Sequence, residues 1–62
     1  MMYRISYDEK HIDVECHSVQ HAARIAAAIV DAGPYRLVRE SPKSGRICNQ
    51  FGTLASYGLV PS

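Results

Sequence analysis

Residues 18–34 read SVQHAARIAAAIVDAGP, and the fold turns on how this stretch is read. At about 100° per residue, Val19, Ala22, Ala23, Ile25, Ala26, Ile29 and Val30 gather on one broad face, while Gln20, Arg24 and Asp31 form the opposite stripe. The pattern predicts an amphipathic helix from Val19 to Ala32. Ser18 supplies a hydroxyl that accepts from a free amide of the first turn. Gly33 offers a left-handed stop, and Pro34 prevents the helix from resuming. The alanines favour helix and let its axis come close to whatever lies beneath. Ile25 and Ile29 are the expected main knobs.

Working outward toward the N-terminus, Tyr3, Ile5 and Tyr7 alternate with Met2, Arg4 and Ser6, the period of a half-buried strand. Ile12, Val14 and Cys16 alternate in the same way with His11, Asp13, Glu15 and His17. Matching the apolar sets pairs Tyr7 with Ile12, Ile5 with Val14 and Tyr3 with Cys16, leaving Asp8, Glu9, Lys10 and His11 as the loop. Arg4 then faces Glu15. On the other side of the helix, residues 35–40 are β-prone, Ser41 to Gly45 is a turn signal, and Arg46 to Phe51 makes a second hairpin. From Gly52 the pattern weakens, so that residues 53–57 read either as a short helix ended by Gly58 or as an irregular extension. The expected fold is one small α+β domain over residues 1–62, ordered ββαββ. Its small antiparallel or mixed sheet has one helix packed on one face. Strand order 2-1-3-4 is expected, with 1-2-3-4 and a parallel central pair as the alternative.

A chain of 62 residues holds one core, and 47% apolar with 21% charged residues is a globular composition. So small a core leaves homodimer formation open. A net charge of +1 gives no strong steering field toward a polyanion. No run approaches the roughly 18 apolar residues that span a bilayer, and no secretory leader pattern is seen, so a soluble, cytoplasmic protein without a membrane partner is expected. In that compartment Cys16 and Cys48 stay reduced.

His11, Asp13, Glu15 and His17 are the most reactive-looking set, at every second position of one strand. Alternate side chains on a strand stand about 6.5–7 Å apart, so the four cannot converge on one ion, and the solvent side of a hairpin explains them. Cys16, His17, His21 and Cys48 lack the close ligand spacing of a zinc site. Cys16 and His17, adjacent on a strand, face opposite ways and make no nucleophile–base pair. No phosphate-cradling glycine loop occurs. No catalytic residue, metal site or cofactor is therefore expected, and the chain does not read as an enzyme.

Three surfaces are candidates for a partner instead. Asp8, Glu9, Asp13 and Glu15 make the first hairpin acidic. Arg36, Arg39, Lys43 and Arg46 make the second basic, with only Glu40 against them. Phe51, Leu54, Tyr57 and Leu59 form an apolar segment that a small fold has difficulty burying completely. The expectation is a non-enzymatic macromolecule-binding module, regulatory or inhibitory, that occludes a surface of another protein or nucleoprotein complex. The alternative is a small nucleic-acid-binding protein using the basic hairpin, with Tyr35 and Phe51 to stack on bases. Small ββαββ proteins without catalytic signatures resemble, in size and plainness, accessory proteins of phages and other mobile elements, anti-CRISPR inhibitors among them.

Overall fold

The computed structural model describes residues 1–61. Its elements are β1 (Met2–Tyr7), β2 (Lys10–Glu15), α1 (Val19–Ile29), β3 (Arg36–Ser41), β4 (Ser44–Asn49) and β5 (Gly52–Leu59). All five strands form one antiparallel sheet in the order β2-β1-β5-β4-β3. The expected ββαββ order is therefore corrected to ββαβββ. The segment read as a short helix or irregular extension is the longest strand of the sheet, and it takes the place beside β1 expected for the third strand. Neither four-stranded order survives. The sequence of β5, GTLASYGL, is poor in β-branched residues, and its pattern makes sense only with a strand on either side.

Three tight hairpins and one crossover generate this topology. Asp8 and Glu9 form the first turn, with φ of 49° and 63°, the signs that a type I′ turn requires. This turn is two residues long, so β1 and β2 pair as Ile5↔Ile12 and Tyr3↔Val14, two residues away from the expected register. An even shift preserves which side chains share a face. It also places Asp13, not Glu15, opposite Arg4. The second turn is Pro42–Lys43, shorter than the Ser41–Gly45 stretch expected, and the third is Gln50–Phe51. In the third, Asn49 Oδ1 accepts from the Phe51 amide at 2.8 Å.

Between β2 and β3, α1 carries the chain from one edge of the sheet to the other. Its start is as expected: Ser18 is extended and its Oγ accepts from the His21 amide at 3.1 Å. Its end comes earlier than Ala32. Val30 caps the helix, Asp31 takes a left-handed φ of 50°, and the amides of Asp31 and Ala32 return to the carbonyls of Ala28 and Ala27. This is a Schellman closure with Asp31 in the position where Gly33 was anticipated.

The core lies between α1 and the middle of the sheet. Ala22, Ala23, Ala26 and Ala27 are the helix's buried residues, set over Tyr3, Ile5, Ile47, Ala55 and Tyr57. Ile25 and Ile29 are only half-buried at the flanks, so the alanines and not the isoleucines make the central contact. The helix packs chiefly on β5, β4 and β1. Among the described residues, no helix is long and apolar enough to cross a membrane.

Candidate functional site

Strand alternation gives the sheet a second face, on the side away from α1, that no element among the described residues covers. Registers place Met2, Arg4 and Ser6 of β1 on it, opposite Glu15, Asp13 and His11 of β2. Ser56 and Gly58 of β5 lie beside Ser6 and Arg4, and Arg46 and Ser44 of β4 continue the same two rows. The centre of this open face is thus a floor of small side chains: Ser6, Ser56, Gly58 and Ser44. A shallow depression of about 320 Å³ lies over it, lined by Arg4, Ser6, Glu40, Ser56 and Gly58 among others.

Two ion pairs rim this floor. Arg4 grips Asp13 with two hydrogen bonds, Nε to Oδ1 at 2.9 Å and a terminal nitrogen to Oδ2 at 3.2 Å. The hydrogen bond from Arg4 holds the Asp13 carboxyl below its usual range, and the same bond raises the Arg4 guanidinium. Across the floor, Arg46 donates to Thr53 Oγ1 at 3.0 Å, while its Nε lies 3.4 Å from Glu40 Oε2. That Nε is shielded from solvent and makes no well-aligned hydrogen bond, so the Arg46–Glu40 contact is an ion pair only.

The acidic residues do not act as one patch. Asp8 and Glu9 project from the hairpin tip, Asp13 is held by Arg4, and Glu15 pairs with the N-terminal ammonium at 3.1 Å. The four cations of the second hairpin separate as well. Arg36 and Arg46 belong to the open face, Arg39 lies on the helix side beside Gln20 and Leu37, and Lys43 sits in the turn. Of the apolar segment, Phe51 is exposed at the third turn, Leu54 and Leu59 are half-buried against the core, and Tyr57 is inside it. Those four side chains therefore form no single exposed patch.

His17 leaves the strand and stacks on His21 with ring centroids 5.4 Å apart, its amide donating to His21 Nδ1 at 3.3 Å. Cys16 and Cys48 are both free and buried. Burial pushes the Cys16 thiol up, away from the thiolate that a nucleophile or metal ligand requires. Among the described residues, no three His, Cys, Asp or Glu side chains come together as a metal site. The floor residues Ser6, Ser44, Ser56 and Gly58 carry no signal in the sequence, because only the β1–β5–β4 register brings them side by side.

Comparison with family models, with characterised proteins and with solved structures gives no match.

Proposed function

We propose that this protein is a non-enzymatic binding module whose open sheet face docks on another protein and acts by occupying that surface. The uncovered face carries the proposal, with its hydroxyl-lined floor of Ser6, Ser44 and Ser56 between the Arg4–Asp13 and Arg46–Glu40 pairs. A broad, nearly neutral mosaic of fixed ion pairs and small polar side chains suits a protein partner of matching polarity, where charge sets register more than affinity. A regulatory or inhibitory action follows from simple occlusion. A reducing, cytoplasmic setting belongs to the same proposal, in keeping with two free cysteines.

Direct nucleic-acid binding has less support, since Arg46 is paired with Glu40 and Arg39 lies on the other side of the sheet. The likeness to mobile-element accessory proteins is one of size and plainness, and the order ββαβββ adds no support to it.

Affinity capture from the native cells tests the proposal, using the wild-type chain and a Ser56→Arg variant whose side chain fills the floor. Circular dichroism first establishes that the variant is folded. A stoichiometric protein retained by the wild type and lost by Ser56→Arg is expected. A partner held equally by both baits removes the open face from the function, and a nuclease-sensitive partner points to nucleic acid instead.

A further inference from the structure

We propose that β3 is a self-pairing edge, through which two copies of this chain join their sheets about a twofold axis passing beside Val38. The inference goes beyond the open-face function and does not depend on it. Among the described residues β3 has a neighbour on one side only, β4, and its other edge presents unpaired backbone groups. The helix packs chiefly on β5, β4 and β1, and Leu37 on the helix side of β3 stays 38% exposed beside the equally open Tyr35.

The order of side chains along β3 makes it complementary to itself. Antiparallel pairing that keeps like faces together, with Val38 opposite Val38 of the second copy, sets Arg36 opposite Glu40 and Glu40 opposite Arg36. Both lie on the open face, as shown by the Arg36↔Cys48 register and by the Glu40–Arg46 pair. On the helix side the same register sets Leu37 against Arg39, whose methylene stem covers it. Shifting the register by two in one direction brings Arg39 against Arg39, and in the other it leaves Glu40 without a cation. The other edge, β2, is less suited, because Asp13 and Glu15 are already engaged by Arg4 and the N-terminus.

Glu40 can serve both neighbours. Its Oε2 faces Arg46 within its own chain, leaving Oε1 for Arg36 of the second copy. The irregularity between Arg39 and Ser41 falls at Glu40 itself, which has no register partner on β4, so the regular ladder ends at this contact and the interface is limited to a short strand pair. An isologous joint of this kind closes on itself, and its axis stands perpendicular to the sheet. Both open faces then lie on the same side and form one surface of ten strands.

Sedimentation equilibrium of the full chain over a broad concentration range tests the inference, with Arg36→Glu and Glu40→Arg variants whose fold is checked by circular dichroism. The wild type should show a monomer–dimer equilibrium. Each variant alone sets like charges against each other at both ends of the pair and should weaken it at least tenfold. An equimolar mixture of the two variants restores both oppositely charged contacts and should recover the dimer. Val38→Asp, which puts two carboxylates at the axis, should also be monomeric. A wild type that is monomeric throughout, a dimer that either charge variant leaves intact, or a mixture that stays monomeric overturns the proposal.

Discussion

At Gly45 the absence of a side chain is a packing requirement. A Cβ built there would lie 2.5 Å from Tyr57 Oη, 2.7 Å from the Val38 carbonyl oxygen and 2.8 Å from Tyr57 Cζ. The Tyr57 ring therefore lies across the backbone of β4, and one of the three obstructing atoms is main chain that cannot swing aside. Gly45→Ala should cost about 1–3 kcal/mol, as overpacking in a tight core does. For a domain this small, that lowers Tm by about 4–8 °C per kcal/mol, readable by thermal denaturation. Adding Tyr57→Phe should recover only part of the loss, since Cζ and the Val38 carbonyl remain. Buried acids make a second prediction. Burial raises the Cys16 thiol above its ordinary 9.0 and the Tyr57 hydroxyl above 10.0. Each group ionises more readily in the unfolded chain, so its contribution to stability is whole below those values and is lost as pH climbs through the raised, folded ones. Urea unfolding should give a stability that falls above about pH 9. Cys16→Ala should remove the earlier part of that fall and leave the later one, due to Tyr57. An identical alkaline profile in the variant would refute the assignment to Cys16.

At the scale of elements, α1 shows what the sequence made legible and what it hid. Its start was plain because Ser18 precedes a sharply periodic run, and the hydroxyl does cap the His21 amide. Its end is less legible: Gly33 does take a left-handed φ of 62°, but the helix has already closed at Asp31, two residues earlier, with a φ of 50°. The hairpin register is hidden for a similar reason: Glu9, unlike Asp8, is a poor candidate for a positive φ angle, so a longer loop is the natural reading. β5 escaped because alanine, serine and glycine are indifferent to strand formation until neighbours on both sides supply the ladder. The floor of the open face shared that obscurity, being made from the same small residues. The helix's own small residues set its distance from the sheet. Ala26, fully buried, should not accept Leu without displacement of the helix, at a cost of about 1–3 kcal/mol. Ala28→Leu, on the exposed side, should change stability by less than about 0.5 kcal/mol. Equal effects of the two substitutions in chemical denaturation would contradict the orientation of α1.

For the molecule as a whole, the decisive feature is that the first and last strands are neighbours at the middle of the sheet. β5 joins β1 on one side and β4 on the other, so without it the sheet divides into two separate hairpins beneath one helix. The Val60 amide donates to the Met2 carbonyl at 2.9 Å, closing this seam near its end. Ala55 and Tyr57 also leave the core if β5 is removed. Isolated hairpins are marginal in water, and a single helix short of its main sheet contact does not hold them. A chain ending at Gln50 should therefore lack the cooperative thermal transition of the 62-residue chain. Because the β1–β5 pairing links the two ends of the chain, it is also the most costly in loop entropy and should form late in folding. Supplied separately, residues 52–61 as a peptide should bind the fragment 1–50 and restore the cooperative transition and amide protection in β1 and β4. A fragment 1–50 that unfolds cooperatively by itself, with native-like protection in β1, would show that the two hairpins and α1 suffice. The central position of β5 would then be a consequence of the fold and not its keystone.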